Sequence, residues 1–201
     1  MSSLKILSIV LGILGAIALS AIFIKISHNP FQNSPEVGLD LKNNPMLTRN
    51  FSEYSNYGFK LKYPNSWTLE KYQPNEFSQI VAELIPPDRN FQTLIAPKVM
   101  IEVRPLKNLI SLTNINQEAT KAINNFLPQA KIFENRKVYL DNHPAYLLVY
   151  TGLEGQNKFK KMQIGAIKQD YLYLIIYEAK IEHYKVFEPT VKQIINSFKL
   201  L

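Results

Sequence analysis

The 201-residue sequence predicts an α+β fold, an antiparallel β-sheet flanked by helices in an α/β/α sandwich, preceded by one N-terminal transmembrane helix. Three observations carry that prediction. After residue 50 the chain is a series of short β-like runs broken by two stretches of helical periodicity. The last two runs are joined only through Lys168-Gln169-Asp170, a tight polar connection that fits a hairpin and so antiparallel neighbours. Ahead of them lies one uncharged apolar run of the length a bilayer requires.

That run, ILSIVLGILGAIALSAIFI over residues 6–24, is bracketed by Lys5 and Lys25, and about 20 such residues span a membrane. Ala16-Ile17-Ala18 and Ala18-Leu19-Ser20 offer small residues to a signal peptidase. Because Ala21-Ile22-Phe23-Ile24 carry the apolar run past both sites, residues 1–26 read as an uncleaved anchor. The single lysines at its two ends nearly balance under the positive-inside rule, and the short N-terminus argues that the bulk of the chain is translocated. Residues 27–50, with Pro30, Pro35 and Pro45 among asparagines, have neither helical nor strand periodicity and read as a tether.

The domain then occupies residues 51–201. Strands are expected at 58–63, 66–72, 78–85, 97–104, 131–139, 144–151, 160–168 and 171–179, the last being β-branched and aromatic throughout. A first helix is expected at 114–127, with Asn114 and Gln117 at capping-box spacing and Ile115, Ala119, Ala122, Ile123 and Phe126 on one stripe. Pro128 ends it. A second is expected at 182–197, where Tyr184, Phe187, Val191, Ile194 or Ile195 and Phe198 recur every three or four residues, with Pro189 kinking or restarting it.

The chain has no cysteine, which excludes disulfides, thiolate metal sites, a cysteine nucleophile and a lipid-modified cysteine. Its net charge of +7 is spread along the sequence, so basicity alone names no partner. Neither GxGxxG nor GxxxxGK[ST] occurs, no nucleophile elbow or zinc-type histidine pair is present, and an enzyme is not expected. No cofactor is implied. Asp141 and His143 are candidate ligands for a divalent cation such as calcium, two where three or four are usual. Lys158, Lys160 and Lys161 form the densest basic cluster and, with Lys60 and Lys62, a candidate interaction rim. Tyr171, Tyr173 and Tyr177 fall on one side of a strand whose other side carries Leu172, Leu174 and Ile176. Both sides therefore read as buried, against a base-stacking platform and against nucleic acid as a partner.

The segments GFKLKYPNSW, QIVAELIPP, VMIEVRPL, HPAYLLVYTG, KMQIGAIKQDYLYLIIYEA and IINSFKL, in that order, resemble the PsbP-like family. The family includes the extrinsic subunit of the photosystem II oxygen-evolving complex and the PsbP-like tails of some Ser/Thr kinases. Gly58, Phe59, Tyr63, Pro64, Trp67, Ala145, Tyr146, Tyr150, Ser197 and Phe198 match its pattern. The resemblance covers residues 51–201 and implies a non-enzymatic, membrane-tethered binding domain in the thylakoid lumen or periplasm. Photosystem II subunits are the implied protein partners, and assembly or stability of that complex the implied process. An envelope sensor or small-ligand module unrelated to photosynthesis is the alternative, and a deep apolar pocket would mark it.

In GFKLKYPNSW the period of two places Phe59, Leu61 and Tyr63 on a core face and Lys60 and Lys62 on the wet face. Trp67, the only tryptophan, is expected to close one end of the core.

Overall fold

A computed structural model describes residues 50–76, 78–87, 95–106 and 110–201. The predicted transmembrane helix and nearly all of the tether lie outside the described residues. Among those described, no helix is long and apolar enough to cross a membrane.

The strands are β1 (Phe51–Asn56), β2 (Phe59–Pro64), β3 (Thr68–Lys71), β4 (Ile80–Ile85), β5 (Lys98–Pro105), β6 (Lys131–Leu140), β7 (His143–Glu154), β8 (Asn157–Lys168), β9 (Tyr171–Lys180) and β10 (Lys199–Leu200). Two helices, α1 (Leu112–Phe126) and α2 (Ile181–Ser197), complete the described elements. They form two antiparallel sheets where the sequence predicted one: a seven-stranded sheet ordered β3-β4-β5-β9-β8-β7-β6 and a small sheet ordered β1-β2-β10. Each predicted strand corresponds to an observed one. β1 and β10 were not foreseen, because β1 buries Tyr54 alone and β10 has two residues.

Tight turns hold the meander β6 to β9 together. Asp141 and Asn142 (φ 49° and 62°), Gly155 (φ 61°) and Gln169 (φ 53°) open two-residue loops in the left-handed conformation that matches strand twist. The meander returns β9 to the centre, where it pairs with β5 across more than sixty residues of chain.

The register sorts the side chains onto two faces. Val99, Ile101 and Val103 of β5 stand opposite Tyr177, Ile175 and Tyr173 of β9, and continue through Ile164 of β8 and Leu147 of β7 into the core under α2 and the small sheet. Met100, Leu174, Ile176, Leu148 and Tyr150 point the other way, into the core under α1. The helices therefore cover opposite faces of the large sheet, the sandwich expected from sequence.

α1 starts at Leu112, two residues before the expected Asn114. Its N-cap is Ser111, whose Oγ accepts the Asn114 N–H at 3.1 Å. Phe126 is off the predicted apolar stripe, at 56% exposure; the chain leaves helical geometry at Leu127, which turns inward instead. α2 runs unbroken through Pro189. Pro189 and Lys185, whose carbonyl loses its i+4 donor, both lie on the exposed side, where water can serve that carbonyl.

Gly165 lets β8 pass beneath the Tyr146 ring. A Cβ there would sit 2.6 Å from Tyr146 Cζ and 2.9 Å from Leu174 Cδ2. The Gly165→Ala variant is expected to lose about 1–3 kcal/mol of stability by overpacking, read as a lower denaturation midpoint with an unchanged m-value.

Candidate functional site

Asp141 opens the β6–β7 turn and meets the C-terminal strand. Its Oδ1 accepts from Lys199 Nζ at 2.8 Å and its Oδ2 from the Leu200 N–H at 2.9 Å. Lys168 Nζ donates to the Leu200 carbonyl at 3.0 Å, so β10 is clasped at both backbone groups of one residue. His143 contributes its Nδ1, 2.8 Å from the Asp141 backbone oxygen. Among the described residues no third histidine or acid joins them. The Asp141 carboxylate thus carries an ammonium and an N–H, and it closes the turn onto β10.

Burial pushes the Asp141 carboxyl up, but the Lys199 and Leu200 hydrogen bonds and the Lys199 charge outweigh it and hold its pKa below the ordinary 3.8. The clasp is thus complete above that value and weakens as pH falls through the lowered one. Asp141→Asn is expected to cost about 1–2 kcal/mol near neutrality. It should also flatten the acid limb of the stability curve and speed amide exchange at Lys199 and Leu200.

The five lysines of the expected rim separate. Lys60 and Lys62 lie in β2 of the small sheet, half-buried and exposed respectively, with Lys60 opposite Lys199. Ser197 holds the Lys62 backbone, its Oγ accepting from the N–H at 2.8 Å and reaching the carbonyl at 3.2 Å. Lys158 and Lys160 lie at the start of β8 in the large sheet, exposed and half-buried.

Lys161 is not part of a rim. Successive strand residues face opposite ways, so Lys161 turns under α1, where it is 7% exposed and ion-paired with Glu178 directly across on β9. The pair belongs to a row crossing four strands, Lys98, Glu178, Lys161 and Tyr150, with Glu83 3.5 Å from Lys98 Nζ. A second buried pair on the same face joins Arg104 Nε to Glu102 Oε2 at 2.9 Å, and Gln163 donates to the Tyr146 hydroxyl at 2.6 Å. Burial pushes the Tyr146 and Tyr150 hydroxyls up, so both stay protonated. These charged pairs were not foreseen. The alternation in VMIEVRPL does place Glu102 and Arg104 on one face, but nothing local says that α1 covers it.

An exposed aromatic ring stands between two ammonium groups at the β6 edge. Phe133 is 52% exposed, with Lys131 Nζ 5.1 Å and Lys160 Nζ 5.4 Å from its ring centroid. Lys160 also lies 4.6 Å from the ring centroid of Tyr184 on α2. Such cation–π contacts hold flexible ammonium groups beside an apolar ring without neutralising them. Tyr139, further along the same strand, is 63% exposed. A cleft of about 360 Å³ elsewhere, between Asn50, Phe51, Pro64, Asn65, Thr190 and Gln193, is open and lined by polar and apolar surface in similar measure, unlike the enclosed apolar pocket a small-ligand module would have.

No curated protein matches the sequence. Among solved structures the chain is similar to cyanobacterial PsbP (CyanoP) from Synechocystis sp. PCC 6803, at 15% identity and a TM-score of 0.56, covering 86% of this chain and all of that one. It is also similar to LpqN of Mycobacterium tuberculosis, described as involved in cell envelope biogenesis, at 12% identity and a TM-score of 0.57, covering 74% and 90% of the two chains. At these identities the likeness is one of fold. The model of the PsbP-like protein family matches residues 10–200, and the chain therefore belongs to the PsbP-like family.

Proposed function

We propose that this chain is a non-enzymatic, membrane-tethered PsbP-like binding domain on the lumenal or periplasmic side, supporting the assembly or stability of photosystem II. The observation that carries the binding role is the exposed Phe133 ring bracketed by Lys131 and Lys160 at the β6 edge, which no strand covers among the described residues. Exposed aromatics beside cations are common anchors of protein interfaces, whereas the buried acids and bases under α1 are paired with one another. The tether reading is supported by the apolar run at residues 6–24, most of which falls inside the family match. The photosystem reading rests on membership in the PsbP-like family.

The test is native-gel migration of the full chain from mildly solubilised thylakoid membranes. Co-migration with photosystem II complexes is expected, and its loss in a Lys131→Glu/Lys158→Glu variant that stays folded and membrane-bound. Migration apart from those complexes would remove the photosynthetic part. Undiminished co-migration of the variant would remove the β6 surface from the interface.

A further inference from the structure

We propose that β6 is a strand-acceptor edge, which takes an extended acidic segment of a partner protein as an eighth strand of the large sheet. This deepens, and rests on, the binding role above. β6 ends the strand order, so its backbone N–H and C=O groups directed away from β7 pair with no strand among the described residues. Edges left for pairing are a hazard that proteins manage by shortening or bulging them. The opposite edge, β3, is kept to four residues; β6 has ten. A bulge between Ile132 and Glu134 blunts its start, yet from Glu134 to Leu140 its register with β7 is unbroken, roughly 20 Å of template. Asn116 Nδ2 donates to Asn135 Oδ1 at 2.8 Å, and Asn135 Nδ2 to Thr120 Oγ1 at 3.2 Å, which ties this stretch to α1 and stiffens it.

The side chains favour an extended occupant. Phe133 and Tyr139 flank the regular stretch on opposite faces, Phe133 on the α2 side with Lys160 and Tyr139 on the α1 side with Asn135. A strand laid alongside, alternating its own side chains, meets an aromatic on each face.

Charge selects among occupants. β6 carries Lys131, Arg136 and Lys137 against one acid, Glu134, whose Oε2 already accepts from Arg136 Nε at 3.2 Å. The neighbouring start of β8 adds Lys158 and Lys160 and no acid. A second copy of this chain, itself at +7, would bring like charge to that edge, whereas an acidic segment brings the complement.

The probe is the acidic strand peptide acetyl-Glu-Val-Glu-Val-Glu-Val-Glu-amide, titrated into the full chain in detergent micelles beside a copy N-methylated at alternate residues. The parent peptide is expected to slow amide exchange across residues 134–140. The N-methylated copy should bind about tenfold more weakly or worse, as expected once backbone hydrogen bonds are lost. Lys131→Glu/Lys158→Glu, both exposed positions, should weaken the parent several-fold. Equal binding of the two peptides would overturn strand addition and leave the basic docking surface standing. Protection at 134–140 that grows with protein concentration, without peptide, would overturn the acidic partner in favour of a second copy. Binding of neither peptide would overturn this proposal alone if the native-gel co-migration persists, and the binding surface as well if it does not.

Discussion

Replacing Trp67 by alanine is expected to lower the stability of the domain by about 3–5 kcal/mol. The ring is 6% exposed and stands edge-on to Phe187 of α2, with centroids 5.9 Å apart and planes at 86°. Its backbone N–H donates to the Pro64 carbonyl at 2.9 Å, closing the turn between β2 of the small sheet and β3 of the large one. The side chain therefore fills the place where the two sheets and α2 meet, and truncation leaves a cavity that three separate elements would have to collapse to fill. Aromatic pairing adds to the loss, because an edge-to-face contact is worth about 0.5–1.5 kcal/mol beyond the area it buries. A fall of roughly 10 °C in the melting temperature should accompany it, followed by far-UV circular dichroism because the only tryptophan is gone. Trp67→Phe should recover part of the loss. An unchanged melting temperature in the alanine variant would refute the core assignment.

The second large effect is expected at the pair under α1. Lys161→Met should destabilise by about 3–5 kcal/mol, because it leaves the Glu178 carboxylate, 7% exposed, without its cation. Lys161→Met/Glu178→Leu should restore much of the stability, since two packed apolar residues need no compensation. That non-additivity, measured as a double-mutant cycle, separates an ion pair from two independent packing residues.

The pH dependence supplies a second reading. Burial pushes the Lys161 pKa down, but Glu178, with Tyr150 and Glu154, more than reverses this and raises it above the ordinary 10.5. A raised lysine pKa means that the folded state holds the proton more tightly. The pair's contribution is then whole below about pH 10 and lost as pH climbs through the raised value. Lys161→Met should flatten the alkaline limb of the stability curve.

Local signals made much of the fold legible. Period-two alternation marked Phe59 and Leu61 as inward and Lys62 as outward, and three-to-four spacing marked Tyr184, Phe187, Val191 and Ile194 as the buried side of α2. Short polar turns at Asp141-Asn142 and Gln169-Asp170 marked antiparallel neighbours. What the sequence left out was decided by distant contacts. Asp141 stands beside His143 in sequence, but the partners its carboxylate meets, Lys199 and Leu200, lie nearly sixty residues away. Lys161 looked like one of three surface lysines; strand alternation turned it inward, and only the pairing of β8 with β9 supplied Glu178. Phe126 fitted the helical stripe and was released to solvent because the helix ended one residue before Leu127.

The sequence by itself determined the α+β class, the position of nearly every element, the family and the inward residues of β2, β9 and α2, because these follow from propensity and periodicity along a few consecutive residues. Tertiary structure alone decided that the described strands form two sheets, that Lys161 and Glu178 are a buried pair, that Asp141 clasps β10, and that β6 ends the large sheet among the described residues with Phe133 between two lysines. Each of those depends on which strand lies beside which, and pairing between segments many residues apart is settled only by the packing of the whole core.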